Sequence, residues 1–351
     1  MKMTKTEAAT RALIRHIRDN QLKAGDRMPS QSQLRLLLDC GATTISAAIR
    51  QLSDDGILEV RDKVGVFVKD PSTDGHMGRT IGMALGPISW SAHACCLAQQ
   101  IQRQLLLHGC QTAMFSSREN TLGFEVSDFP GLQRAIRQNQ LDALLDMNGF
   151  VPNMTMENPI PERLPVLYVG SSQPFRTGVM IDIEDFLSQG LKDLRRKGCR
   201  SIFVAMANGN IRRYHMPRLQ KSERDLSPEC FDPAFQIKRY AIPNGRALAQ
   251  QLLAVDPEKR PDGILTCDDN FAAALDAEFL RVNSGYRPWI VCAGNKQIPI
   301  PFPSDKITCY EVDLDEVAKR TCSVLLKIFE GTAPANPLEH VYLNLSDPAT
   351  H

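Results

Sequence analysis

The chain has 351 residues, 43% of them hydrophobic, with 41 Lys and Arg against 40 Asp and Glu and a formal charge of +1 at pH 7. That length predicts two or three domains with ample core, and the charge balance excludes a bulk nucleic-acid coat. No apolar run reaches about 18 residues, so no membrane span is expected. The first residues, Met1 to Glu7, lack the apolar core of a signal peptide, and a cytoplasmic chain is expected.

The first predicted helix carries Leu13, Ile14 and Ile17 on one face, continued by Leu22. A glycine turn at Gly25 follows. Ser30 is a good N-cap, and Gln33 three residues later completes a capping-box pattern. Leu34, Leu37 and Leu38 then supply the expected buried stripe of a second helix. In a third, Ile45, Ala48, Ile49 and Leu52 fall at i, i+3, i+4 and i+7 and face the core. Its other face carries Thr43, Thr44, Ser46, Ala47 and Arg50, and Gly56 is placed to end it. Leu58 and Val60 alternate with polar residues, Asp62 and Lys63 mark a turn, and Val64, Val66 and Val68 resume a strand. Three short helices and a hairpin in this order make a winged helix-turn-helix, whose dominant use is to lay a helix in the DNA major groove. Residues 1–70 hold 12 Lys and Arg and 9 Asp and Glu, a charge of +3 that leaves −2 for the remainder.

A polar, aperiodic stretch from Asp70 to Arg79 reads as a linker. Beyond it strands and helices alternate. Strands are expected at Ile81–Leu85, Thr112–Phe115, Leu141–Met147, Pro165–Val169, Ser201–Met206, Gly263–Cys267, Trp289–Ala293 and Ile307–Val312, with a crossing at Val179–Asp182. Helices are expected at Ala92–His108, Leu132–Asn139, Phe186–Arg196, Ala247–Leu253, Phe271–Val282 and Val317–Phe329. Repeated strand–helix units imply parallel sheets covered by helices on both faces. The break near Asp182 suggests two similar lobes. The expected organisation is therefore residues 1–69 as the winged helix-turn-helix, 70–79 as linker, and 80–351 as a two-lobed α/β domain for effector binding and dimerisation.

Other chemistry finds little support. The ten cysteines include no Cys-x-x-Cys and several sit in strand-like runs, which reads as buried reduced thiols. The seven histidines show no metal-ligand spacing, so no metal is expected. No phosphate-binding glycine loop or nucleophile elbow occurs, and neither a cofactor nor catalytic residues are expected.

Over about 60 residues the N-terminal segment resembles the GntR-type winged-helix domain. Gly25, Asp26, Arg27, Pro29, Ser30, Thr44, Ala48, Leu52, Gly56, Arg61, Gly65, Phe67 and Val68 match that pattern. The departures fall where DNA would be read. Ala42 and Ser46 stand where the pattern has arginines, Gly41 where it has Ser, Gln31 where it has Glu, and Lys63 where it has the first wing glycine. The loss of arginine removes the commonest bidentate contact to guanine, while Thr can still touch thymine methyls, so A·T-rich half-sites are expected. The remainder, from Arg79 to Leu345, is similar to the effector domain of LacI/GalR-type regulators, which have the periplasmic-binding-protein fold. The carriers include Arg79–Gly82, Leu141–Leu145, Leu164–Val169, Gly198–Phe203, Cys267–Asn270 and Trp289–Asn295. Together the two halves resemble the arabinose-repressor class of hybrid regulators.

The resemblance implies a sequence-specific transcription regulator, expected to be a repressor. Its expected partners are double-stranded operator DNA, a small effector of carbohydrate type, and a second copy of the chain as homodimer. The alternative is a sugar-binding or scaffolding protein whose wing domain is vestigial. The DNA-contacting candidates are Arg27, Ser30, Gln31, Thr43, Thr44, Ser46, Arg50, Arg61, Lys63 and Gly65. Open α/β sheets bind ligands beyond the C-terminal ends of their strands. The effector candidates taken from those positions are Ser89, Trp90, Asp146, Asn148, Arg176, Arg212, Arg213, Asp268, Asp269, Asn295 and Lys296. Carboxylates, amides and arginines around an aromatic platform suit a ligand rich in hydroxyls. One of Asp268 and Asp269 is expected to cap the following helix.

Overall fold

A computed structural model describes residues 5–20, 22–54, 57–62, 64–69, 78–85, 92–117, 129–147, 160–170, 177–205 and 243–346. Contacts in space divide the chain into two compact units, Met1–Ile81 with Gln102–Ala113, and Gly82–Ile101 with Met114–His351.

In the first unit, α1 (Lys5–Asp19), α2 (Gln31–Leu38) and α3 (Ala42–Asp54) precede a hairpin of β1 (Leu58–Arg61) and β2 (Gly65–Val68). Ser30 starts α2 with both halves of the capping box in place. Leu13, Ile17, Leu34, Ile45, Ala48, Ile49, Leu52, Leu58 and Val68 close one core. The stripe expected on α2 needs correction. Leu34 is buried, but Leu37 is 60% exposed and Leu36 85% exposed. Only two turns long, α2 meets the core along one narrow line, and Leu37 is carried past it. The hairpin differs too. The second strand starts at Gly65, Val64 lies in the turn, and Val60 is exposed while Leu58 is buried, because the wing tip runs out beyond the core.

The α/β body holds two sheets. The first contains β3 (Thr80–Leu85), β4 (Gln111–Ser116), β5 (Ala143–Asp146), β6 (Val166–Gly170), β7 (Gly178–Ile181) and β12 (Leu338–Val341), in the order β12-β7-β6-β5-β3-β4. The second contains β8 (Ile202–Ala205), β9 (Gly263–Thr266), β10 (Trp289–Asn295), β11 (Ile307–Val312) and β13 (Asn344–Leu345), in the order β13-β11-β10-β9-β8. The pairs β5–β6, β6–β7, β7–β12, β8–β9, β9–β10 and β10–β11 are parallel, and β13 is antiparallel to β11. Strands β3, β5, β8 and β9 are buried at every position, the mark of a strand covered on both faces. The predicted crossing at Val179–Asp182 is β7, a full member of the first sheet.

The helices are α4 (Ala92–Leu107), α5 (Pro130–Arg137), α6 (Ile183–Arg196), α7 (Pro243–Ala254), α8 (Asp269–Val282) and α9 (Leu314–Glu330). Asp182, Asp268 and Asp313 cap α6, α8 and α9 by accepting from backbone amides of their first turns. Phe203, Leu248, Leu252, Ile264, Phe271, Leu275, Phe279 and Ile290 pack the core between the second sheet and α7 and α8.

Candidate functional site

On the winged-helix unit, α3 turns Ile45, Ala48, Ile49 and Leu52 inward. Thr43, Ala47 and Arg50 are exposed, with Thr44 and Ser46 half-buried beside them. A helix presenting short hydroxyls, a methyl and one guanidinium can enter a major groove without steric conflict and reach both base edges and phosphate. Gln31 is exposed at the start of α2. The Ser30 side chain is occupied locally: its Oγ accepts from the Gln33 amide at 3.3 Å, and its own amide donates to Gln33 Oε1 at 2.9 Å.

Arg27 reaches across to the wing. Its Nη2 donates to the Val64 carbonyl at 2.7 Å, and its backbone bridges Phe67. Gly65 has φ +140, a conformation that favours glycine, and a Cβ there would lie 3.0 Å from Arg27 Nε and press on that guanidinium. Arg61 lies 4.4 Å over the Phe67 ring and is paired with Glu59 at 2.9 Å. That pairing raises the Arg61 pKa, and the Arg61 hydrogen bond lowers that of Glu59. Lys63 lies outside the described residues.

In the second unit, Asp268, Asp269, Asn295 and Lys296 meet at the C-terminal ends of β9 and β10, as strand-end reasoning expects. His93, in the first turn of α4, joins them. Its Nδ1 lies 2.5 Å from Asn295 Oδ1. An amide oxygen only accepts, so Nδ1 donates. Burial pushes the His93 pKa down, against the Asn295 hydrogen bond and the negative charge of Asp268. Asp268 caps α8, its Oδ1 accepting from the Phe271 amide at 2.8 Å. It is open to solvent yet has protein mass on most sides, and burial raises its pKa despite hydrogen bonds from Phe271 and Asn270. Asp269 is 5% exposed. Burial and the neighbouring Asp268 charge push its carboxyl up to about 6. Its Oδ1 accepts from the Asn270 amide at 2.8 Å.

Lys296 turns to Asp313, with Nζ and Oδ2 3.2 Å apart, and Gln297 donates to the same carboxylate at 2.6 Å. Burial would raise Asp313, but these partners outweigh it and lower its pKa. Lys296 is thus tied to the cap of α9. Asp146 is fully buried at the end of β5. Ser89, Trp90, Asn148, Arg176, Arg212 and Arg213 lie outside the described residues, as do the Gly56 helix end and most of the 70–79 linker.

Sequence reasoning missed His93 and Gln297. Both lie within a helical turn or two residues of strand-end positions that were chosen. Extending each candidate loop into the next helix would have reached His93. The nine described cysteines are all free thiols. Burial raises Cys199 to about 11 and Cys267 to about 12, which keeps both as unreactive thiols. No helix among the described residues is long and apolar enough to cross a membrane.

Residues 5–68 match the family described as bacterial regulatory proteins, gntR family. A search of curated protein sequences finds no match. Among solved structures, a LacI-family regulatory protein from Chloroflexus aggregans is similar at TM-score 0.58 and 18% identity, over 76% of this chain and 96% of that one. The Cra transcriptional dual regulator from Pseudomonas putida, in complex with fructose 1-phosphate, is similar at 0.58 and 18% over 77% and 98%. A lac repressor dimer bound to operator and the anti-inducer ONPF reaches 0.59 at 13% identity over 77% and 93%. Those shares far exceed the length of the winged-helix unit, so the likeness rests mainly on the α/β body. The chain therefore combines a winged-helix domain of the gntR family of bacterial regulatory proteins with an α/β body that has the fold of LacI-family regulators.

Proposed function

We propose that this chain is a sequence-specific DNA-binding transcription regulator, a repressor, that works as a homodimer. A small carbohydrate-type effector held at the strand ends of the α/β body sets its operator affinity. Residues 1–69 form the DNA-binding part, 70–79 the linker and 80–351 the effector-binding and dimerising part. The observation that carries the reading is the exposed face of α3, with Thr43, Ala47 and Arg50 clear of the core, next to a wing that Arg27 braces. The matched gntR segment and the operator-bound dimer of the same overall fold support it. The effector half rests on His93, Asp268, Asp269 and Asn295 gathered at one set of strand ends, polar groups of the kind that hydroxyl ligands require. Proteins of this fold hold fructose 1-phosphate in one case and glucose in another.

The test is selection by the full-length chain from a random double-stranded DNA library, followed by thermal shift over a carbohydrate panel. The expected result is an enriched inverted repeat and a sugar that raises the melting temperature and changes operator affinity. A library recovered without enrichment would overturn the DNA reading. A panel with no shift would overturn the carbohydrate reading.

A further inference from the structure

The opposite edge of the second sheet carries a groove that the strand-end site does not use. Its lining comes from the loops that enter β8, β9 and β10, and its volume is about 430 Å³, within the range of small-molecule sites. Three cations, Lys197, Arg260 and Arg287, line it with one carboxylate, Asp262. That carboxylate is already engaged: its oxygens accept from the Arg200 amide at 2.8 and 3.0 Å and from the Ser201 amide at 2.9 Å. Arg260 is held by the Leu253 and Val255 carbonyls at 2.6 and 3.0 Å. The Tyr286 hydroxyl donates to the Pro261 carbonyl at 2.6 Å, and the Trp289 amide donates to the Asp262 carbonyl at 3.0 Å. The floor is thus fixed by hydrogen bonds before any ligand arrives.

Three cations in or beside the groove are incompletely satisfied. Lys197 Nζ lies 4.4 Å and Lys306 Nζ 3.8 Å from the Trp289 ring centroid. Neither ammonium has an ion-pair partner among the described residues, and both share one indole. Two like charges at one ring repel, and the indole face offsets only part of this at a partly exposed site. Arg287 Nε is buried without a hydrogen-bond partner among the described residues, and its nearest carboxylate oxygen, on Asp276, is 3.9 Å away. A bound anion would relieve this excess of positive charge.

We propose that the groove binds a small, multiply charged anion, a phosphate ester or a polycarboxylate, with Lys197 and Arg287 of its lining as main contacts and Lys306, which meets the Trp289 ring, adding positive charge beside it. This second site is separate from the strand-end site and does not depend on the carbohydrate reading. The chain has two tryptophans, so Trp90→Phe in the full-length protein leaves Trp289 as the sole indole reporter. Sodium pyrophosphate and citrate are titrated in parallel, each against sodium chloride of equal ionic strength. The expected result is a saturating change in Trp289 emission with one or both anions and none with chloride. Lys197→Gln with Lys306→Gln should weaken the midpoint by at least about tenfold. Saturation with pyrophosphate alone assigns phosphate, and with citrate alone assigns carboxylates. Both lysines are partly exposed, so the double variant should fold, and its melting curve without anion checks this; the single variants serve if it does not. A response that tracks ionic strength alone, or an unchanged midpoint in the lysine variants, would overturn the proposal. The probes carry no sugar, so that failure would leave the carbohydrate reading standing.

Discussion

Arg27 directs its guanidinium to the Val64 carbonyl and packs it against Gly65, so it shapes the wing as well as adding charge. Arg27→Ala is therefore expected to cost about 0.5–1.5 kcal/mol of domain stability and to weaken binding to all DNA sequences alike. Thermal melts and mobility shifts on specific and random duplexes read both. Arg50 is exposed on α3, and Arg50→Ala should lower the slope of log affinity against log salt by about one. Thr44→Ala should instead change base preference. At the strand-end site, Asp269 keeps its proton in the folded chain up to about pH 6, whereas an ordinary Asp loses it near 3.8. The folded state thus binds more protons between those values, and stability falls as pH rises through that window and stays lower above it. Asp269→Asn retains the Oδ1 acceptor for the Asn270 amide and removes that penalty. It should stabilise the chain by about 1–3 kcal/mol at neutral pH, with the gain vanishing below about pH 4. Equal melting temperatures at neutral pH would show that folding does not raise the Asp269 pKa. Asp268 and Asp269 were legible from the sequence because they follow an apolar strand. His93 was not, since nothing local marks a histidine whose partner, Asn295, is 202 positions away.

At the scale of elements, period and capping made most of the body readable. The second sheet's central strands were found nearly to the residue, because continuous apolar runs have no other stable home. Apart from α4, which starts at Ala92 as expected, the helices of the body start earlier than the pattern predicts. For α6 and α9 the apolar period points to starts at Phe186 and Val317, whereas the capping Asp182 and Asp313 start them three residues earlier, at Ile183 and Leu314. Strands β12 and β13 went unread, being four and two residues long at sheet edges and lacking a strong apolar pattern. The α7–α8 pair depends on a close approach that no periodicity reports. A Cβ on Gly245 would lie 2.5 Å from the Phe271 carbonyl oxygen and 3.0 Å from Ala274 Cβ. Around it, buried Glu278 accepts from Arg246, Gln250 and Arg281 at 2.7–3.0 Å, and those hydrogen bonds hold its carboxyl at about 2. Backbone cannot yield as a side chain can, so Gly245→Ala is expected to destabilise the body by about 1–3 kcal/mol. Calorimetry should show this as a lower melting temperature with the winged-helix unit unaffected.

For the whole molecule, one short recognition helix touches too few base pairs to single out a site in a genome. The proposed regulator must then be paired, and the full chain is expected to sediment as a dimer that prefers an inverted repeat to a single half-site. Binding of operator and effector should be reciprocally coupled, by about 5–150-fold in affinity. Titrating effector with and without operator duplex measures the coupling from one side, and titrating operator with and without effector measures it from the other. A coupling factor of one, or a monomer with equal affinity for one half-site and two, would refute this assembly.

The placement of β12 bears on how the chain folds as it is made. β7 has its parallel partner in Leu338–Val341, and flanking residues Thr177 and Asn336, which meet through their side chains, are 159 positions apart. The first sheet, which begins near residue 80, cannot gain β12 until residues 338–341 have been made. The second sheet can assemble β8 to β11 well before then. Pairing at such separation is slow, because loop closure comes before the contacts that reward it. During synthesis β7 therefore remains an open strand edge, the kind of surface that invites pairing with a neighbouring nascent chain. Leu338–Val341 are the residues that close that edge, and a ribosome stalled just short of Leu338 should display the first sheet without its β12 strand.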